Sequence, residues 1–381
     1  MSLTVEQRDL RDAVRGLIAG GYRGAGSPLI GGSGGALPPG ATWRRLCDEV
    51  GVAGLAIPQR YGGAGAGLAE ICVVMEELGR NLTPAPMLGS AVLTAQALLA
   101  SGDDAACERL LPPIADGSAI AALAWTTRAG HWDLTEVGCR AREPAGGGWE
   151  LDGAAHYVLD GAAADVLLVA ASTPDGTGLF EVDPAAAGVT RAALPSMDVS
   201  RALAVVRLSG ARGRRVGGDA AGPLAGARDR ACVALGAEQV GAAARALELT
   251  VGHMLTRVQF GQVIGSFQAL QHRAADLYVL VESARSLSQA VAVAADEAGA
   301  TAGPGGGLGP RAAAARVYCS EVLTQAASEM IQLHGAIGVT WEHQAHRYLK
   351  RAHGGRYLFG SPAKYLAAIA AGLIDGAGLA G

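Results

Sequence analysis

The chain has 381 residues, half of them apolar and only 17% charged, enough to bury a large core and to divide into two or three domains. A net charge of −4 and a pI near 6.1 exclude the broad basic field that nucleic acid or an anionic membrane surface requires, so any anionic ligand must be held by local groups. Six cysteines, Cys47, Cys72, Cys107, Cys139, Cys232 and Cys319, are scattered without a CxxC pair, the pattern of reduced core thiols in a cytoplasm.

The first ten residues read as the start of an amphipathic helix rather than as a signal segment. No apolar run approaches the roughly 18 residues of a membrane span, so the expected location is cytoplasmic. From about 3 to 120 the periodicity is helical, with Leu46, Val50 and Leu55 and then Ile71, Val74, Met75 and Leu78 at three- and four-residue spacing. Pro58, the run Tyr61 to Gly67 and Thr83-Pro-Ala-Pro86 punctuate it. From about 120 to 218 short β runs take over: Ala121–Trp125, Trp149–Leu151, His156–Leu159, Val166–Ala171, Leu179–Val182 and Ala202–Leu208. Turns at Asp152-Gly153, Asp160-Gly161 and Pro174 to Gly178 separate them, which predicts a largely antiparallel β domain. From about 225 the pattern is helical again, with stripes Val240, Ala243, Leu247, Val251, Leu255; Phe267, Leu270, Ala274, Leu277, Leu280; and Val317, Val322, Ala326, Met330, Leu333. Gly-rich loops are expected near 31–40 and over Thr301–Pro310. Long striped helices predict a bundle with a face left over for another subunit.

Two segments of the last third belong together: Arg257-Val-Gln-Phe-Gly-Gln-Val-Ile-Gly-Ser-Phe-Gln268 and Gln332-Leu-His-Gly-Ala-Ile-Gly338. With Leu55 to Gly65 and Glu76-Glu-Leu-Gly-Arg80 in the first third, their order and spacing resemble the acyl-CoA dehydrogenase family over nearly the whole chain. The resemblance implies an α+β fold with an N-terminal helical domain (1–119), a middle antiparallel β domain (120–220) and a C-terminal four-helix-bundle domain (221–381). It also implies FAD as cofactor and α,β-dehydrogenation of an acyl-CoA by α-proton abstraction with hydride transfer to flavin. The implied partners are the acyl-CoA substrate, an electron-accepting flavoprotein, and further subunits in a homodimer, homotetramer or heterotetramer. In such assemblies the C-terminal elements reach the flavin of a neighbouring subunit.

The chemistry of these residues suits that role. Arg257 can grip a pyrophosphate with two charge-assisted hydrogen bonds. Phe260 lies in the same signature, Gln268 offers both donor and acceptor, and Gln332 with Gly335 and Gly338 permits close backbone approach to a phosphate or ribose. Ala336 replaces a family glycine. The middle domain departs further. In Leu123-Ala-Trp-Thr-Thr-Arg-Ala-Gly130, only Trp125, Thr126 and Thr127 remain as flavin contacts, and in Tyr157-Val-Leu-Asp-Gly161 the tyrosine stands where the family has a stacking indole. Leu159 stands where the family has a threonine and cannot donate a hydrogen bond.

Proton abstraction beside a thioester needs a carboxylate in an apolar slot and donors for the enolate oxygen. The two places where the family keeps that glutamate fall at Phe359 and Ala231, neither of which can accept a proton. Glu238, two helical turns past Ala231 among small residues, is the candidate base; its structural alternative is a pair with Arg245 or Arg230. Asp229 is nearer but sits between two arginines. Small side chains over 231–244 suggest room for a bulky acyl group such as a steroid-derived chain. His343-x-x-His346 lacks the spacing of a metal pair, and Gly62 to Gly67 follows a helix rather than a strand, against a dinucleotide loop. Two readings remain: a self-sufficient FAD-dependent dehydrogenase, or a catalytically silent subunit that completes the flavin site of a related chain.

Overall fold

The structure is a computed structural model and describes residues 3–22, 40–130, 132, 134, 136–299 and 309–377. The loop expected over Thr301–Pro310 lies mostly outside these residues, as does most of 31–40. The first part consists of α1 (Val5–Tyr22), α2 (Ala41–Val50), α3 (Leu68–Arg80), a π-type helix over Met87–Thr94, α4 (Ala95–Ala100) and α5 (Asp104–Ala115). Its apolar stripes meet in one core that runs on into the strands and the first long C-terminal helix.

Seven strands follow: β1 (Ala121–Ala124), β2 (Cys139–Arg142), β3 (Trp149–Leu159), β4 (Val166–Thr173), β5 (Gly176–Val182), β6 (Val189–Ala193) and β7 (Leu203–Asp219). Their pairings β4–β2–β3–β7–β5–β4 close on themselves around Leu151, Val158, Val169, Phe180 and Val206, with β6 added outside β7. The sheet is mixed rather than purely antiparallel, because β4 runs parallel to both β1 and β2. The turn expected at Asp152-Gly153 is instead a bulge within one continuous β3. Gly153 takes φ +130°, the register slips between Leu151 and Gly153, and a Cβ there would meet the Gly138 carbonyl oxygen at 2.5 Å.

The last part holds α6 (Ala221–Thr256), a two-residue hairpin β8 (Val258–Gln259) and β9 (Gln262–Val263), α7 (Gln268–Gly299), α8 (Gly309–His334), α9 (Ala345–Tyr357) and α10 (Pro362–Ala377). Small residues of α6 let helices touch: a Cβ on Gly241 would lie 1.9 Å from the Glu76 carbonyl oxygen, and one on Gly79 would lie 2.0 Å from that of Glu238. Part of the spare volume expected over 231–244 is therefore consumed by the crossing of α3 and α6, and Ala231, Ala234 and Ala243 are fully buried, while Ala237 borders a cavity of about 460 Å³. No described helix is long and apolar enough to cross a membrane.

Candidate functional site

The two C-terminal signature segments meet at one end of the bundle. His253, one turn before the end of α6, stacks on His334, the last residue of α8, with ring centroids 4.4 Å apart, and His334 packs on His343 at 4.3 Å. That stack ties the Arg257 hairpin to the turn Gly335–Val339. Arg257 ends α6, is exposed, and makes no ion pair among the described residues. Phe260 projects at 92% exposure from a left-handed position at the tip of the hairpin, and Gln268 and Gln332 are exposed too. Gly335, at φ +64°, has open space where a Cβ would stand, whereas Gly338 is buried against Ile331. Leu255, Val258, Ile337, Val339 and Trp341 surround these groups and are themselves exposed. This end thus offers a free cation, amides, a glycine cradle and an apolar border, a set that fits a phosphate-bearing aromatic cofactor held against a second chain.

The middle-domain candidates have the opposite surroundings. Trp125 follows β1, is 2% exposed, and lies parallel to Phe359, with centroids 6.4 Å apart and planes 6° apart. Trp132 meets both rings edge-on, at 5.2 and 5.3 Å. Phe359, where motif spacing puts the expected base, is 1% exposed and held at φ +64°. The turn that carries it is gripped by the fully buried Arg316, which donates to the carbonyl oxygens of Gly355, Arg356 and Leu358 at 2.7 to 2.9 Å. Trp125 Nε1 and Thr127 Oγ1 are buried without a partner among the described residues. Thr126 is 1% exposed and its carbonyl oxygen accepts from His156 N–H at 2.8 Å. Tyr157 sits in a bulge of β3 at φ +55°, and its hydroxyl donates to the Arg128 carbonyl oxygen at 3.3 Å, folding the ring over the segment that follows Trp125. Leu159 packs in the same core as Trp125.

Glu238 is not a lone carboxylate. Arg201 donates to both of its oxygens at 2.6 and 2.8 Å, and Arg351 donates to Oε1 at 2.5 Å. Arg351 also holds the Ser200 carbonyl oxygen at 3.1 Å and pairs with Asp198 at 3.0 Å, without hydrogen-bond geometry to that carboxylate. Burial pushes the Glu238 carboxyl up, but the charges of Arg201 and Arg351 together outweigh it and hold it below the usual range. A carboxylate so held is a poor proton acceptor. Neither alternative partner, Arg245 nor Arg230, is used: Arg245 pairs with Glu248. Asp229, the lesser candidate, accepts from Gly309 N–H at 3.1 Å and pairs with Arg228.

The Gly-rich run before α3 leads to a helix N-terminus that is already taken, since Leu68 and Ala69 N–H groups donate to the Asp296 carboxylate of α7 at 2.7 and 2.9 Å. His343 and His346 face different neighbours, His334 and Trp341. Sequence reasoning missed Trp132, Arg201, Arg351 and the stacking role of His253 and His334. Only the histidines carried a signal, since each stands next to a quoted motif or within it.

The model of the acyl-CoA dehydrogenase N-terminal domain matches residues 4–118, and that of the C-terminal domain matches 227–374. Acyl-CoA dehydrogenase IpdE2 of Mycobacterium tuberculosis is 39% identical over 328 residues, covering 85% of this chain and 84% of that protein. Its namesake from Mycolicibacterium smegmatis is 38% identical over 325 residues, 85% of each chain. Among solved structures, a variant of the Tcur3481-Tcur3483 steroid ACAD superposes with TM-score 0.84 at 30% identity over 98% of this chain and 99% of that one. The ChsE4-ChsE5 complex from Mycobacterium tuberculosis does so with TM-score 0.84 at 28% identity over 98% of both. Two domain models, in the order and at the places where the helical parts stand, together with relatives near 40% identity, settle the ancestry: the chain belongs to the acyl-CoA dehydrogenase family.

Proposed function

We propose that this chain is one half of a heteromeric FAD-dependent acyl-CoA dehydrogenase, in which it completes the flavin site of a related partner chain and performs no proton abstraction itself. The observation that carries the reading is the stack of Phe359 on Trp125. The base position and the nearest flavin-contact position are in van der Waals reach of each other, with Trp132 closing the side, so the chain's own catalytic slot is filled by its own rings. Ala231, at the other base position, is fully buried, and Glu238 is committed to two arginines.

Flavin, when bound, accepts the hydride released from Cβ of the thioester. This chain's contribution is binding: Arg257 neutralises a pyrophosphate, Gln268 and Gln332 orient the adenosine part, and Gly335 lets the backbone approach. Phe260 and the exposed residues around it exclude water when a second chain covers them. Two of the relatives described above are pairs of different chains by their names, and one is called a steroid ACAD, which supports a heteromeric assembly and a steroid-derived acyl-CoA as substrate.

The test is to purify the full-length chain alone, determine flavin per subunit by absorbance and assembly mass by light scattering, and add acyl-CoAs of several sizes anaerobically. Substoichiometric flavin and no bleaching are expected. One flavin per chain, bleached by an acyl-CoA, would establish a self-sufficient enzyme instead; loss of that bleaching in Glu238→Gln would then restore Glu238 as the base.

A further inference from the structure

A group of charged side chains apart from the flavin elements joins the β domain to the C-terminal helices and borders the N-terminal part. Asp160 stands in the left-handed turn after β3, at φ +56°. Arg201 precedes β7, Glu238 lies on α6 and Arg351 on α9, with Asp198 and Ser200 beside Arg201. From the N-terminal part, the π-type helix over Met87–Thr94 presents only backbone at this point: a Cβ on Gly89 would lie 2.7 Å from Asp160 Oδ2. From β6, Arg191 spends its guanidinium on the carbonyl oxygens of Gly161 and Ala164, at 3.2 and 2.7 Å.

The group holds two guanidiniums, Arg201 and Arg351, against three carboxyls. Glu238 and Asp198 take both cations, and the Asp160 carboxyl has no hydrogen-bond partner among the described residues. Arg201 binds Glu238 through one terminal nitrogen, while its Nε–H is buried without a partner. Arg201 thus keeps an unused donor near the carboxyl of Asp160, which feels its charge. Asp160 and Arg201 also line two cavities in common, one of about 260 Å³ bordered by Trp43, Met75 and Met87, the other of about 480 Å³ bordered by Leu194 to Val199. Both give water, and so protons, access to the carboxyl.

We propose that Asp160 and Arg201 form a proton-operated latch at the junction of the three parts: with Asp160 neutral, Arg201 stays on Glu238, and when Asp160 loses its proton to the cavity, Arg201 turns its free Nε–H to it and is shared by both carboxylates. Burial supports the neutral form near neutral pH, pushing this carboxyl up to about 7 against the opposing charge of Arg201. Glu238 and Asp198, each held down by its arginines, keep their charge over the same range. The bistable element is the Arg201 side chain, and the segment it anchors is 196–203.

The sign of the linkage follows. Because the folded chain holds the Asp160 proton more tightly than the unfolded chain, the contribution to stability is complete below about pH 4, where an unfolded aspartate titrates. It is lost as pH rises to about 7. The experiment is a carboxyl titration of the full-length chain, with aspartate labelled in the side-chain carbonyl and the Asp160 signal assigned by its absence in Asp160→Asn. A midpoint near 7 is expected, falling by a unit or more in Glu238→Gln, where Arg201 is released, a tenfold or larger change in proton affinity. A midpoint in the ordinary aspartate range near 4, or one unmoved by Glu238→Gln, overturns the latch. Should Glu238→Gln fail to fold, the Arg201 Nε–H resonance of the unsubstituted chain decides: it follows the Asp160 midpoint if the side chain moves, and stays fixed if there is no latch.

Discussion

Trp125 and Arg257 are both expected from the sequence resemblance to meet flavin, yet one is 2% exposed beneath an aromatic stack and the other lies open at the end of the bundle, next to a phenylalanine that is 92% exposed. The rings around Trp125 are packed within the chain, although Trp125 Nε1 and Thr127 Oγ1 have no partner among the described residues. Around Arg257 the polar groups and the apolar border are left over, and an apolar patch left open on a folded chain marks a contact surface. On the function proposed above, one fold carries a slot closed by its own side chains and a half-site that a second chain completes. Substitutions in the first region should cost stability without touching assembly, and those in the second should do the reverse.

The largest effect belongs to Phe359→Ala. Removing a fully buried ring leaves a cavity between Trp125 and Trp132, at an expected cost of about 3–5 kcal/mol read as a lower denaturation midpoint. A loss under about 1 kcal/mol would mean that the slot is loosely filled and the closed-site argument weak. Arg257→Ala should leave the stability of the isolated chain within about 0.5 kcal/mol. In the assembly it removes charge-assisted bonds worth about 1.5–3 kcal/mol, so flavin retention should fall by roughly 10- to 100-fold in a dilution experiment. Unchanged retention would place the pyrophosphate elsewhere. Smaller still is Phe260→Ser, expected to weaken association by about 1–2 kcal/mol in sedimentation while the melting of the single chain stays put. If melting falls instead, Phe260 serves its own chain.

Helical periodicity was readable where a stripe covers a buried face: Val240, Ala243 and Leu247 lie where the pattern puts them, whereas Leu255 of the same stripe is exposed and only Leu277 of the second stripe is buried. Strands β2 and β6 were not, since Cys139-Arg-Ala-Arg142 and Val189-Thr-Arg-Ala-Ala193 hold too little apolar surface to stand out. The empty base positions could be counted from motif spacing. What fills the slot could not, because Trp125, Trp132 and Phe359 come from distant parts of the chain and only the tertiary fold brings them together. Glu238 illustrates the same limit. Its local run of alanine and glycine suggests isolation, while its partners Arg201 and Arg351 arrive from a loop of the β domain and from α9. Small residues on α6 are ambiguous in a sequence between spare volume and close contact, and the approach of Gly241 to the Glu76 carbonyl decides for contact.

The two regions should also answer acid in opposite senses. At the open end, burial and mutual repulsion lower the pKa of His253 and His343, and burial lowers that of His334 against the pull of its bond to the Met330 carbonyl oxygen. Their folded pKa values lie below that of an unfolded histidine, about 6.5, so the unfolded chain binds protons more readily and the stabilisation is lost as pH falls below that value. Because these rings brace the Arg257 hairpin against the turn Gly335–Val339, flavin should be released as pH falls below about 6.5, before the chain unfolds, and His343→Gln should weaken that dependence. Asp160, pushed up to about 7, gains its proton in the same direction of pH and the junction tightens. Flavin retention and thermal stability followed together across this range separate the two: His343→Gln alters the first curve, Asp160→Asn the second. If one substitution moved both curves, the end of the bundle and the junction at Arg201 would be a single cooperative unit rather than two independent ones.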